Sequence, residues 1–305
     1  MTTTVVDLFS GLGGFSTGAK QAGCHVAWAG NHWPLAIEYH QKNHPATTHV
    51  CQDLQQFDFS RLPEHDLLLA SPSCQGHSPA RGAEKPHHDG SRSTAWAVVS
   101  AAEAGRAPVV IVENVLQFTS WTLYPAWKLA MESLGYSISP HILDAADFGV
   151  PQNRIRLFLV CTRSQVPLVL DLKKTAWEPI GPSIQWDSYP WSPIDRPGRS
   201  AATKARIEAG RARYGDRFLA PFYGSGSGKT GRSLDRPLGT VRTRDCWSVV
   251  DGEKMRMLQP EEIRKAMGFP ECELPSRRDQ AIHLLGNAVC PPVARGIIEA
   301  VRVQG

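Results

Sequence analysis

Cys74 stands in Ser71-Pro72-Ser73-Cys74-Gln75-Gly76-His77-Ser78, directly after the apolar run Asp66-Leu67-Leu68-Leu69-Ala70. Such a run ahead of a Pro/Ser/Gly-rich loop predicts a buried strand with a thiol at its carboxyl end, where open α/β sheets place their chemistry. Glu113-Asn114-Val115 closes another apolar strand, and Gln152-Asn153-Arg154-Ile155-Arg156 follows. A thiol nucleophile, a carboxyl that can share a proton and two guanidiniums that can hold developing charge are what is needed to attack a pyrimidine ring and hold it while it reacts. A lone cysteine would say little, since free Cys commonly behaves as a small buried hydrophobe. The ordered set says more.

The elements that must position these groups alternate in the first half of the chain. Apolar strands are predicted at 5–9, 25–29, 67–70, 109–112 and 157–161. Helices are predicted from the glycine turn through Ala22, and at 35–43, 96–104 and 124–134. Strand-helix alternation predicts an α/β fold, a mostly parallel sheet with helices on both faces. From 167 to 236 the composition shifts to Pro, Gly, Ser, Trp and Arg, with one predicted helix near 203–213. The expected organisation is a first domain of 1–165 together with 281–305, and a small loop-rich second domain of 166–280. Pro260 starts a helix carrying Met267, and Gly286 to Ala294 begins a C-terminal helix apolar enough to pack on the first domain.

Bulk composition narrows the classes. Hydrophobic residues make up 42% and charged residues 20% of 305, which fits a globular enzyme and argues against wholesale disorder. The net charge of +4 requires any nucleic-acid surface to be a local patch. The N-terminal residues show neither the basic nor the apolar region of a signal peptide, no membrane partner is expected, and a cytoplasmic location follows. Seven cysteines without a CxxC pair predict reduced thiols and no zinc site. His87-His88-Asp89 lacks a further ligand, so no metal is expected.

A second cluster outlines a small-molecule pocket. Asp7-Leu8-Phe9-Ser10-Gly11-Leu12-Gly13-Gly14-Phe15 is a strand entering a glycine turn, but GxGxxG would need glycine where Ser16 stands. The spacing therefore disfavours a nicotinamide oxidoreductase and allows either a ligand turn or a plain strand-to-helix connection. Asn31-His32-Trp33 follows the second strand, and Gln52-Asp53-Leu54 lies beyond. Trp33 can stack on a purine, and Asp53 can accept from an exocyclic amine.

With these motifs in order, the chain resembles the DNA cytosine-5 methyltransferases of bacterial or phage type. Asp7–Gly14 resembles the S-adenosylmethionine loop, Ser71–Ser78 the catalytic-cysteine loop, and Glu113-Asn114-Val115 the ENV tripeptide. Gln152–Arg156 matches QxRxR, Arg236-Pro237-Leu238-Gly239-Thr240 resembles the end of a target-recognition region, and Gly286-Asn287-Ala288 a C-terminal cofactor motif. The resemblance implies a Rossmann-like class I methyltransferase sheet with a target-recognition domain. It implies that Cys74, Glu113, Arg154 and Arg156 are catalytic. The cofactor S-adenosyl-L-methionine, leaving as S-adenosyl-L-homocysteine, would meet Phe9, Ser10, Gly11, Leu12, Gly13, Gly14, His32, Trp33, Asp53, Leu54, Asn287 and Val289. Double-stranded DNA would meet Gln75, Ser78, Arg81, Lys85, Arg92, Lys229, Arg232, Arg242 and Arg244. A monomer near the nucleoid is expected because one active site is complete within one chain, and three roles stay open: functional, non-physical partner of a restriction endonuclease, phage self-protection, or a solitary enzyme.

Two positions depart from the family pattern. Ser73 replaces the usual Pro before the cysteine, from which a looser loop is expected. His32 replaces an acidic residue on the ribose; a neutral imidazole accepts one hydrogen bond where a carboxylate accepts two, so weaker cofactor binding is expected. Residues 76–94 are expected to form a mobile loop closing over DNA, with Gly76, Gly82 and Gly90 as hinges. Tyr223–Arg232 nearly spells a P-loop but has Tyr223 at the first glycine and no strand before it, so a basic loop touching phosphates or bases is the better reading. Related tRNA cytosine methyltransferases carry a Cys-Phe-Thr signature that is absent here. An inactive DNA-binding relative is disfavoured by the intact catalytic set.

Overall fold

The computed structural model describes residues 2–73, 87–222 and 231–304, with residues 87–92 and 304 by backbone alone. It divides into two compact units. Unit 1 comprises Met1–Asp144, Ile155–Lys174 and Ala288–Gly305, and unit 2 comprises Ala145–Arg154 and Thr175–Asn287.

Unit 1 is built on seven strands: β1 (Thr4–Leu8), β2 (His25–Asn31), β3 (Thr48–Cys51), β4 (Leu67–Ala70), β5 (Val109–Asn114), β6 (Ser137–Asp144) and β7 (Ile155–Thr162). Their order across the sheet is β3-β2-β1-β4-β5-β7-β6, and β7 alone runs antiparallel to its neighbours. β1 and β4 are buried throughout or nearly so, as strands covered on both faces must be. The chain leaves β1 toward β2 on one side and later returns to β4 on the other. That reversal opens a crevice at the carboxyl ends of β1 and β4, where both the glycine turn and the cysteine loop begin.

Alternation along the strands sends side chains to two faces. Val6, Leu8, Leu68, Val110 and Val112 share one hydrophobic core with Ala95, Val98, Ala101 and Trp127. These last residues come from α3 (His87–Gly105) and α4 (Tyr124–Ser133). Trp127 is fully buried and its indole donates to the Ala95 carbonyl at 2.9 Å, so its truncation would cost roughly 3–5 kcal/mol. The alternate positions, including Asp7, Ile111 and Glu113, face the other side. There α1 (Gly14–Gln21) packs against α8 (Pro291–Gln304) through glycines. A Cβ on Gly14 would strike the Val289 carbonyl, and one on Gly18 would lie 2.5 Å from the Ala294 Cβ. α2 (Pro34–Asn43) begins with proline at a position that needs no amide donor.

Unit 2 has more regular structure than its composition suggests. An antiparallel sheet of order β8-β11-β10-β9 runs through β8 (Ser192–Pro193), β9 (Arg217–Pro221), β10 (Trp247–Asp251) and β11 (Lys254–Met257). α5 (Ala201–Tyr214) packs on β9, capped by Ser200, whose hydroxyl accepts from the Thr203 amide. α6 (Pro260–Ala266) starts with a capping box between Gln259 and Glu262, and α7 (Arg278–Asn287) follows. Glu262 is fully buried and paired with Arg256 at 2.7 Å. The second boundary differs from the sequence expectation: 145–154 and 281–287 belong to unit 2, because their backbone and side chains bond within it. α3 also differs. It begins at His87, two turns before the expected start, so Gly90 lies in a helix and not at a loop hinge.

Candidate active site

The ends of the central strands are tied to one another. After β1, Phe9 adopts a left-handed φ of 60°, which a residue other than glycine seldom does, and Gly11 and Gly13 follow at 54° and 94°. The Ser10 amide donates to the Gly30 carbonyl at 3.1 Å, binding this turn to the end of β2. Ser71, just past β4, donates its hydroxyl to the Phe9 carbonyl at 3.2 Å. Beside Gly11 the strained turn is open: a Cβ there would meet only the Phe9 carbonyl, at 3.9 Å. Ser10 Oγ is buried without a hydrogen-bond partner among the described residues.

The neighbouring strand ends add donors and acceptors. His32 is exposed, and Trp33, half-buried, donates its amide to Asn31 Oδ1 at 3.0 Å. Beyond β3, the Gln52 amide bonds the Asn31 carbonyl at 3.0 Å, and Asp53 caps the next turn through the Gln55 amide. Leu54 is buried beneath it. Val289, at the start of the α8 segment, sets its carbonyl against Gly14.

On the other side of the crevice, Glu113 is opposite Phe158 in the β5–β7 ladder and nearly buried. Arg156, two residues back along β7 on the same face, reaches Glu113 Oε1 through Nε at 3.1 Å. Arg156 Nη1 also bonds the Ile155 carbonyl. The pair fixes a carboxyl and a guanidinium side by side at the sheet end. Asn114, 1% exposed, donates Nδ2 to the Pro72 carbonyl at 3.2 Å, linking β5 to the segment that leads to the thiol. Ser73 donates its amide to Thr94 Oγ1 of α3 at 3.1 Å. A proline at that position has no amide hydrogen, so serine adds a tether where a looser loop was expected.

A family model for C-5 cytosine-specific DNA methylases matches residues 3–185. The chain belongs to the C-5 cytosine-specific DNA methylases. Type II methyltransferase M.NlaX of Neisseria lactamica is 27% identical, covering 98% of this chain and 96% of its own length. Type II methyltransferase M.HhaI of Haemophilus parahaemolyticus is 26% identical over 93% and 89%. Among solved structures, a DNA modification methyltransferase encoded within an E. coli prophage aligns with a TM-score of 0.68 at 20% identity, covering 99% of both chains. The S. pombe Dnmt2 methyltransferase aligns with a TM-score of 0.68 at 16% identity, over 100% and 99%. These two share the fold, a Rossmann-like methyltransferase sheet.

In this methylase, unit 2 holds the remaining predicted residues. Gln152 is fully buried: its Oε1 accepts from the Val241 amide at 2.8 Å and its Nε2 donates to the Ala266 carbonyl at 3.1 Å. Arg154 is 4% exposed and donates to the carbonyls of Val241 at 3.1 Å and Gly286 at 2.9 Å. These two bonds make Arg154 a strut between distant stretches of unit 2, whatever further part its charge plays. Gly286 lies so close to the Arg242 backbone that no side chain fits, and Asn287, next to it, is exposed. The half-buried Arg232 guanidinium bonds the Pro237 carbonyl and Asn153 Oδ1. Arg242 and Arg244 are exposed.

Cys74, Gln75, Ser78, Arg81, Lys85 and Lys229 lie outside the described residues, as does the side chain of Arg92. Three residues that the sequence reading left without a role, Ser71, Asn114 and Gln152, are the ones that tie the predicted motifs in place. Each stands inside a quoted motif, but residue type alone did not distinguish a tether from a loop residue.

Proposed function

We propose that this protein transfers a methyl group to C5 of a cytosine flipped out of a specific duplex DNA sequence, through a covalent adduct of Cys74 with C6. The observation that carries the reading is the Glu113–Arg156 pair at the end of β5, next to the strand that leads into the cysteine loop. C5 of cytosine is a poor nucleophile. Addition of the Cys74 thiolate to C6 moves electron density onto C5. Glu113 hydrogen-bonds N3 and the exocyclic amine, drawing charge from C6, and Arg156 holds both Glu113 and the ring oxygen where negative charge develops. Once C5 carries the methyl group its proton leaves and the thiolate is expelled. Arg154 serves as a positioning residue. Extrusion of the base from the duplex costs a few kcal/mol.

The turn after β1 fits S-adenosylmethionine: an open, strained glycine bend, an orphaned buried hydroxyl on Ser10, and Trp33 and Asp53 at the adjoining strand ends. When bound there it supplies the electrophilic methyl group. Phe9, Gly11, Gly14, Leu54 and Val289 would shape the pocket, Trp33 would stack on the adenine, and Asp53 would accept from its amine. Unit 2 would read the DNA sequence, with Arg242 and Arg244 among its phosphate partners. The Type II names of the curated relatives favour a modification role beside a restriction endonuclease, in the cytoplasm.

The test is methyl transfer from labelled S-adenosylmethionine to mixed-sequence duplex DNA and, separately, to tRNA, with base-resolution mapping. Transfer to cytosine C5 in one short DNA motif, abolished by Cys74→Ser, is expected. Transfer to tRNA alone, or transfer that survives Cys74→Ser, would overturn it.

A further inference from the structure

Behind the glycine turn, on the α1 side of the sheet, lies a chain of hydrogen bonds that the methyl-transfer chemistry does not use. Asp7 of β1 is fully buried and accepts from Ser16 Oγ of α1 at 2.7 Å. Ser16 Oγ is 3.1 Å from His40 Nε2 of α2, and His40 Nδ1 is 2.8 Å from His49 Nε2 of β3. His49 is half-buried and also bonds the Thr47 backbone. Ser16 and His40 are wholly buried, so four side chains from four elements connect the protein exterior to a carboxyl inside the sheet. The rings of His40 and His44 pack 4.5 Å apart against the underside of the turn. A Cβ on Gly13 would fall 2.5 Å from His44 Nε2 and 3.1 Å from His40 Cδ2.

We propose that Asp7, Ser16, His40 and His49 form a proton relay beneath the glycine turn, with His40 as the positioning residue that couples the charge of Asp7 to cofactor binding. This rests on the reading of the turn as the S-adenosylmethionine site. The relay has two polarities, and only the one with Asp7 protonated leaves His49 an N–H for the Thr47 carbonyl. With Asp7 ionised, Ser16 donates to Asp7, His40 Nε2–H donates to Ser16, and His49 Nε2–H donates to His40 Nδ1. A proton taken from solvent at His49 Nδ1 releases the Nε2 proton to His40. His40 then gives its own Nε2 proton to Ser16, and Ser16 gives one to Asp7. One proton enters at His49 and one arrives at Asp7, every bond reverses, and both imidazoles end neutral in the opposite tautomer.

Ionisable groups around the relay come from each packed element. Burial keeps the His40 ring neutral, and His44 of α2, His49 of β3 and Lys20 of α1 add repulsion against a charge there. On α2, Lys42 and Glu38 pair with each other at the surface. β2 contributes only exposed His25, and β4 contributes none. On α8, Arg295 pairs with Glu299, and Arg302 bonds the Ala22 carbonyl. Burial of Asp7 raises its carboxyl from 3.8 to about 7, so the charge switches near neutrality. A carboxylate in this dry interior acts over a longer range than one in water. It favours a cationic ligand on the turn above it. S-adenosylmethionine carries a sulfonium; S-adenosylhomocysteine does not.

Two measurements on the full chain test the relay. In ligand-free protein labelled with ¹⁵N-histidine, long-range proton–nitrogen spectra from about pH 5.5 to about pH 8.5 should show His40 exchanging one neutral tautomer for the other. A His40 that stays in one tautomer, or gains a charge, overturns the proposal. Over the same range, calorimetry should show S-adenosylmethionine binding tightening on the order of tenfold as pH rises, with S-adenosylhomocysteine changing far less. Asp7→Asn should flatten that dependence. His40→Gln, which can donate and accept but cannot exchange tautomers, should restore affinity lost in His40→Phe without restoring the pH dependence. Equal dependence for both ligands, or its survival in Asp7→Asn, overturns the coupling. If neither ligand binds at any pH, the functional reading of the turn fails, and the tautomer spectrum alone decides whether the relay exists.

Discussion

Arg154 offers the sharpest test of whether geometry or residue type assigns a role. Its guanidinium joins the Val241 and Gly286 carbonyls inside unit 2 at 3.1 and 2.9 Å, and it is 4% exposed. Arg154→Met removes both donors while leaving two carbonyls in a buried setting, at a cost of about 1–3 kcal/mol for each group left unsatisfied. A total near 3 kcal/mol would lower the melting temperature by roughly 5 °C in a protein of 305 residues. Arg154→Lys can reach one carbonyl and not the other, so about half that loss is expected. Thermal unfolding by circular dichroism reads the stability. Methyl transfer, measured well below both melting transitions, reads the chemistry. Melting should fall in the order wild type, Lys, Met, while turnover at low temperature falls by less than about tenfold. Unchanged melting with a hundredfold loss of turnover in both variants would refute the strut and return the cation to the reaction.

Three further outcomes follow from the geometry. Glu113→Gln keeps the shape of the site but removes its proton-sharing group, and should lower methyl transfer by about 10²–10⁴-fold with cofactor binding little changed in calorimetry. Glu262→Ala leaves Arg256 buried and unpaired and removes the acceptor for the Gln185 and Gln259 amides; a loss of at least 3–5 kcal/mol is expected in denaturant unfolding. For Asp7, the folded value near 7 lies above the unfolded 3.8, so the native state holds the extra proton between them. Its contribution to stability is therefore greatest below about pH 4, declines as pH rises to about 7 and is level above. Asp7→Asn should gain on wild type by roughly 4 kcal/mol across that interval in unfolding titrations.

Five strands of the sheet were legible because they are short, apolar and largely buried; β3, half-exposed and only four residues long, was not read. The glycine turn, the cysteine loop and Glu113 could be placed at strand ends for that reason. β6 went unread because Pro140 and His141 interrupt its apolar pattern, and the start of α3 because His87-His88-Asp89-Gly90 looks like a loop. The unit 2 strands were hidden by length: β8 has two residues and β11 four. Arg154 and Arg232 were read for their charge, and only neighbours distant along the chain show them also bonding the interior. Asp7 did carry a signal, a carboxylate within a buried strand. Its partners at 16, 40 and 49 follow no local spacing, so the relay required the fold.

The packing of α8 on α1 imposes an order on biosynthesis. Residues 288–304 complete the layer over the glycine face of α1, yet they leave the ribosome after all of residues 175–287. While unit 2 emerges, Gly14 and Gly18 remain without the neighbours that fill the space beside them, and the apolar residues of α1 stay open to water. The sheet can form first; the glycine turn gains its final support last. A nascent chain halted near residue 287 would therefore present α1 with its packing face uncovered, a substrate for chaperones before it is an enzyme.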